Sequence, residues 1–257
     1  MREWITGRNP VYEVLRASRR DVFRLLVAEG AQEKGRLVEI TLLARQKKVP
    51  VGRVPRSQLD RLSQVHQGVA LETSQFPYAN LQDMLDLASS RQEAPFLLIL
   101  DTLQDPQNLG TLLRTGEAVG IHGVVLPMRR TATVTPAVVN ASSGASEHLL
   151  IAQVNLAQGM QVLKERDVWI VGLEGDSRAE NPDRVRLDGA LALVVGNEAE
   201  GMRRLVRESC DVLMQLPMKG NVASLNAAVA GSVALYLAWQ ARGFSPGEIP
   251  ADRKQIY

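Results

Sequence analysis

Three clusters of polar residues and glycine hold the side chains best suited to chemistry in this chain. The first is Asp105-Pro106-Gln107-Asn108-Leu109-Gly110, with Arg114 a little further on. The second is Gly196-Asn197-Glu198-Ala199-Glu200-Gly201-Met202. The third is Leu216-Pro217-Met218 followed by Ser224-Leu225-Asn226-Ala227. Arginine offers a permanently charged planar fork that suits phosphate and ribose oxygens. Asn, Ser and Glu add hydrogen-bonding groups, and glycine lets a backbone approach a ligand closely. Each cluster also has a plain structural explanation. Asp105 and Asn108 are natural helix caps, and Pro106 suits a helix start. The Arg114 stem can cover apolar surface beside Leu112 and Leu113. Glu198 is favourable near a helix N-terminus, and Ser224 can cap the long helix that follows it. Placement separates the two explanations. Every cluster follows an apolar run, and in open α/β sheets ligands bind at the carboxyl ends of strands.

Other chemistries lack their residues. His66, His122 and His148 are the only histidines, and none neighbours a nucleophile elbow. Cys210 is the single cysteine, which excludes an internal disulfide framework and leaves no zinc-ligand spacing. Neither G-x-G-x-x-G nor a P-loop lysine is present. No metal is expected. No apolar run approaches the roughly 20 residues that span a bilayer. The start, Met1 to Gly7, has no apolar core of a signal peptide, so a cytoplasmic location is the default expectation.

Residues 10–17, 35–46 and 57–62 have helical apolar spacing, and 22–28, 49–54 and 68–72 are β-rich. Asn9 before Pro10 is a start signal for the first helix. Residues 74–93, with Pro77 and the tract Ser89-Ser90-Arg91-Gln92-Glu93, have the composition of a connector around a polar helix. Beyond it, 96–100, 123–126, 168–173, 191–195 and 212–216 are continuous apolar runs, as in parallel strands buried on both faces. Helices fit 108–119, 155–164, 200–208 and 224–242. Ala227, Ala228, Ala230, Gly231 and Ala234 permit close approach of another backbone, in the core or across a subunit interface. Alternating strands and helices indicate an α/β fold. The expected units are 1–74, a connector at 75–93, a second domain at 94–245 and a tail at 246–257.

Charge divides along the same line. Residues 1–74 hold 14 Lys and Arg against 8 Asp and Glu, whereas the remainder holds 16 against 20. A basic module joined to a weakly acidic body fits a nucleic-acid grip beside a catalytic unit, though a solvated charged face gives the same count. Arg8, Arg19, Arg20, Lys47 and Lys48 are the candidate nucleic-acid contacts.

The three clusters, in this order and context, resemble the motifs of the SpoU/TrmH family of RNA ribose 2′-O-methyltransferases. Ala141-Ser142-Ser143-Gly144-Ala145 with Glu147-His148, and the start Ile5-Thr6-Gly7-Arg8-Asn9-Pro10-Val11, are similar to the branch that methylates a guanosine in large-subunit ribosomal RNA. Ala199 departs from the glycine common there, and Met202 from leucine. The resemblance implies a SPOUT-type α/β domain with a trefoil knot, preceded by a small α/β domain similar to RNA-binding ribosomal proteins. It implies S-adenosylmethionine held by Gly196, Asn197, Gly201, Leu216, Met218, Ser224 and Leu225. It further implies catalysis by Arg114 supported by Asn108, Glu198, Ser224 and Asn226, and a homodimer packed through the knot region, with the subunit whose cofactor Arg114 serves left open. The partner molecule is then large-subunit ribosomal RNA. Two rival functions remain open: tRNA 2′-O-methylation within the same family, and a non-catalytic RNA-binding role in ribosome assembly.

Overall fold

The structure is a computed structural model, and it describes residues 1–32, 34–176, 178–197, 200–222 and 224–244. The tail at 246–257 lies outside the described residues. The first sheet holds β1 (Arg2–Thr6), β2 (Val22–Ala28), β3 (Val51–Val54) and β4 (Val69–Ser74), in the order β1-β4-β2-β3. Its strands are mixed: β1 and β2 run antiparallel to β4, and β3 runs parallel to β2. Helices α1 (Arg8–Ala17), α2 (Arg36–Gln46) and α3 (Arg56–Asp60) join them. Gly7, not Asn9, occupies the cap position of α1.

The segment from Gln75 to Glu93 is built into the second body. Asn80 and Asp83 form a reciprocal capping box at the start of α4 (Leu81–Ser90). Met84, Leu85 and Ala88 on that helix are buried, Met84 and Leu85 in one apolar cluster with Leu97, Val125 and Ala152. A polar helix in a connector is therefore an amphipathic helix covering one sheet face.

The second sheet is parallel and ordered β10-β8-β9-β5-β6-β7. Its strands are β5 (Phe96–Leu100), β6 (Gly123–Pro127), β7 (Ile151–Val154), β8 (Trp169–Leu173), β9 (Leu191–Val195) and β10 (Val212–Met214). Every residue of β5, β6 and β9 is buried, which is why these strands have unbroken apolar sequences. The connecting helices are α5 (Pro106–Ala118), α6 (Pro136–Ala141), α7 (Leu156–Lys164), α8 (Arg204–Glu208) and α9 (Ala227–Ala241). Among the described residues no helix is long and apolar enough to cross a membrane.

The two bodies meet through charge as well as apolar packing. Arg20, fully buried at its side chain, donates to Glu147 at 2.7 and 2.8 Å and pairs with Glu3. Arg19 donates to the carbonyls of Leu149 and Pro77 and lies near the Phe76 ring. His148 Nε2 and Glu13 are 2.7 Å apart.

Candidate active site

The carboxyl ends of β8, β9 and β10 surround a cavity of about 750 Å3. Gly196, Asn197, Gly201, Leu216, Met218, Ser224 and Leu225 all line it. Seven residues from separate loops are thus brought to one concave surface. Its walls combine apolar Leu173, Val195 and Pro217 with a few polar groups, the usual make-up of a small-molecule site.

The second cluster is a tight loop. Asn197 and Gly201 exchange backbone hydrogen bonds of 3.1 and 2.9 Å. A side chain at Gly196 would start 2.5 Å from the Met202 nitrogen, so only glycine fits there. Asn197 Nδ2 donates to the Thr102 carbonyl at 3.0 Å, joining this loop to the one after β5. Just beyond, the buried Asp101 carboxylate accepts from the Arg203 backbone at 2.8 Å and from its guanidinium at 2.7 Å. Glu198 and Ala199 lie outside the described residues.

The third cluster enters α9, and here Ser224 is not the cap. Asn226 is, with Oδ1 accepting from Ala228 and Val229 at 2.9 and 3.2 Å. The helix starts at Ala227, which leaves Ser224 exposed on the cavity wall. Asn226 also donates to Asn108 Oδ1 at 3.1 Å, bringing the first and third clusters together. In the first cluster Asp105 is the cap, accepting from Gln107 at 2.9 Å, so Asn108 is released to meet Asn226.

The small residues of α9 serve this chain's own core. A Cβ at Gly231 would sit 2.6 Å from Leu112, and Ala227, Ala228, Ala234 and Ala238 are buried. A second close approach lies at Gly110, where a Cβ would stand 2.8 Å from the Ser142 nitrogen. Helices α5 and α6 therefore touch backbone to backbone. Arg114, exposed on α5, donates to Ser143 Oγ at 3.4 Å just after α6. It does not line the cavity of its own chain.

Two of the expected RNA contacts are otherwise occupied. Arg20 is sealed in the ion pair with Glu147, and Arg19 is bonded to carbonyls between the two bodies. Their positive charge belongs to an internal joint, because without Arg20 the Glu147 carboxylate would be buried without its counter-charge. Arg8 donates through Nε to the Gln67 carbonyl at 3.2 Å, Lys47 bonds to the Ser18 hydroxyl, and Lys48 is exposed.

The cavity also contains residues that sequence inspection passed over. Glu174, Asp176 and Asn181 come from the segment after β8. Arg207 pairs with Glu174 at 3.5 Å and with Asp176. Among the described residues Glu174 Oε2 is buried without a hydrogen-bond partner, an arrangement that leaves an acceptor for a ligand or water. The strand-end rule applied to Leu173 points to these residues as well.

Comparison with known proteins places these features in a wider set. Residues 95–236 match the SpoU rRNA Methylase family, and residues 4–79 match the family described as RNA 2′-O ribose methyltransferase substrate binding. The chain is 42% identical over 244 residues to YacO of Bacillus subtilis, assigned to the TrmH family of tRNA/rRNA methyltransferases, covering 93% of this chain and 96% of that protein. Among solved structures, the SpoU methyltransferase AviRb from Streptomyces viridochromogenes, in complex with AdoMet, superposes with a TM-score of 0.77 at 21% identity, covering 93% of this chain and 90% of that one. The A. aeolicus TrmH/SpoU tRNA modifying enzyme has a TM-score of 0.54 at 24% identity and covers 64% of this chain and 81% of its own.

Proposed function

This chain belongs to the SpoU rRNA methylase family, and from that premise we propose that it 2′-O-methylates a guanosine ribose in large-subunit ribosomal RNA, using S-adenosylmethionine. One observation carries the reading: all seven residues named for the cofactor line a single cavity at three adjacent strand ends. The cavity fits that group. It offers apolar walls for a base, an unpartnered Glu174 oxygen, and the backbone of Gly196 free of any side chain.

S-adenosylmethionine supplies a methyl already activated on a sulfonium. The chain's own residues must hold a ribose hydroxyl in line and accommodate the charge that develops as its proton leaves. Arg114 is the proposed catalytic residue, orienting the hydroxyl or its phosphate and stabilising alkoxide character. Asn108 and Asn226 are proposed to hold α5 and α9 in register around it, with Glu198 and Ser224 completing the site. Because Arg114 does not line its own chain's cavity, we assign it to the cofactor of a second subunit. An apolar face of α9 supports such a homodimer: Val229, Val233 and Tyr236 are exposed along it, and Val233 and Tyr236 line a shallow hollow with Phe244.

The large-subunit target is favoured over tRNA by the extent of the fold. The first body, β1 to β4, is an added unit, and the A. aeolicus tRNA modifying enzyme superposes on only 64% of this chain. The units are proposed to act as a substrate-binding domain at 1–74, a connector at 75–93 and a methyltransferase domain at 94–245.

The test is incubation with labelled S-adenosylmethionine and separate transcripts of large-subunit rRNA, small-subunit rRNA and tRNA, followed by mapping of ribose methylation. Label on one large-subunit guanosine is the expected result. Label on tRNA alone overturns the target, and absence of cofactor binding overturns the enzymatic reading.

A further inference from the structure

With Arg19 and Arg20 turned inward, RNA is left to other cations, exposed Lys48 of the first body among them. The segment between β6 and α6 presents Met128, Arg129 and Arg130, all exposed. Met128 is 69% exposed although it follows a fully buried strand. Neither guanidinium has a hydrogen-bond or ion-pair partner among the described residues. Exposed Arg45 and Arg61 likewise have none among the described residues, whereas Arg24, Arg36, Arg178 and Arg204 each pair with a carboxylate, so position is what singles out Arg129 and Arg130.

The base of this loop is fixed. Thr131 Oγ1 and the Ala132 nitrogen both donate to the Leu103 carbonyl, at 3.0 and 2.7 Å. The Val134 nitrogen donates to the Tyr78 hydroxyl at 3.0 Å. Arg130 has φ 58°, a left-handed conformation that turns the chain sharply between Arg129 and Thr131. An anchored base with a sharp turn presents the two cations from a rigid support.

Its position is equally specific. Strands β5, β6 and β9 are parallel, so their carboxyl ends share one edge. The loop after β6 bonds to Leu103 in the loop after β5, which bonds through Thr102 to Asn197 of the cavity wall. On the other side the loop runs into α6, which abuts α5 at Gly110 and meets Arg114 at Ser143. The loop is thus linked through Leu103 and Thr102 to the cavity wall, and through α6 to the helix that carries Arg114.

We propose that Arg129 and Arg130 hold backbone phosphates flanking the target ribose of the RNA substrate. This rests on the functional reading above. Unpaired arginines suit phosphate oxygens, and the exposed Met128 offers apolar surface to an unstacked base, as single-stranded RNA recognition requires. Phosphate contacts position the strand and leave sequence choice to other residues.

The experiment measures binding of an end-labelled large-subunit rRNA transcript across a salt series, with no turnover required. The full-length chain is compared with the R129Q/R130Q double variant and with R129K/R130K. The glutamine variant is expected to bind roughly 10-fold more weakly and to lose about 1.5 from the slope of log affinity against log salt. Its S-adenosylmethionine affinity and Tm should equal those of the parent, and lysine should restore most of the slope. An unchanged affinity, or a weakened affinity with an unchanged slope, overturns the proposal. A parent protein that binds RNA but methylates none would overturn the functional reading instead, since the loop is judged from binding alone.

Discussion

Arg114 lies with its guanidinium 3.4 Å from the Ser143 hydroxyl, exposed, and outside its own cavity. That arrangement suits a group that meets substrate brought from outside. Arg114→Ala removes one cationic donor from a developing oxyanion, and removing such a donor costs roughly 100- to 1000-fold in turnover. The expected outcome is that loss in single-turnover methyl transfer, with cofactor affinity and Tm unchanged. A folded variant that binds cofactor and keeps full turnover would sink the assignment. The neighbouring glycines have a different purpose. Gly196 and Gly110 are required by the distance to facing backbone, 2.5 and 2.8 Å from an added Cβ. Sequence alone marked Gly196 as a ligand-approach position, and the structure adds that its own loop closes over it.

At the scale of elements, the joint between β5 and β6 depends on one imidazole. His122 Nδ1 accepts from the Phe96 nitrogen at 3.0 Å, while Nε2 faces Glu93 at 3.0 Å. Burial pushes its pKa below the usual value, and the opposing attraction of Glu93 does not reverse this. The geometry explains the direction, because a proton on Nδ1 would confront the Phe96 N–H. With a lower pKa in the folded chain, the unfolded chain takes up this proton first as pH falls. The contribution of His122 to stability is therefore full above about pH 6.5 and declines as pH drops toward the folded-state pKa. Tm measured at about pH 7.5 and about pH 5.5 should fall less in His122→Asn than in the parent, whose larger fall includes this group. An equal fall in both proteins would exclude His122 as a contributor.

At the scale of the whole molecule, the buried Arg20–Glu147 pair joins the two sheets and α9 presents an unpartnered apolar face. Arg20→Ala leaves the Glu147 carboxylate buried without its counter-charge. Breaking a buried pair in this way costs about 3–5 kcal/mol, so urea unfolding should show a loss of that order. A change below about 1 kcal/mol, as exposed pairs give, would mean that the joint is open to water. The α9 face leads to a separate expectation. Tyr236→Asp places a charge on the proposed subunit contact, so sedimentation should report monomers and methyl transfer should collapse. An active monomer would contradict the shared site, and a parent protein that is itself monomeric would remove the dimer from the mechanism.

By itself the sequence determined the α/β class, the central buried strands and the loops that carry the site. It could do so because a strand covered on both faces must be apolar throughout, and the polar residues that follow then stand out. The edge strands β3 and β10 were still legible, but the edge strands β1 and β7 were not. β1 and β7 each lie at the border of a sheet, and Arg2, Glu3 and Gln153 interrupt their apolar character. The tertiary structure alone decided which partners the charged groups have. Arg19 and Arg20 look like any basic surface in the sequence, yet a carboxylate and a carbonyl more than a hundred residues away draw them inward. Likewise Asn108 and Ser224 have the sequence credentials of a cap, and only the structure shows that Asn226 caps α9 while Asn108 receives its amide. Local composition reports what a residue can bond, whereas the fold sets which of those bonds is within reach.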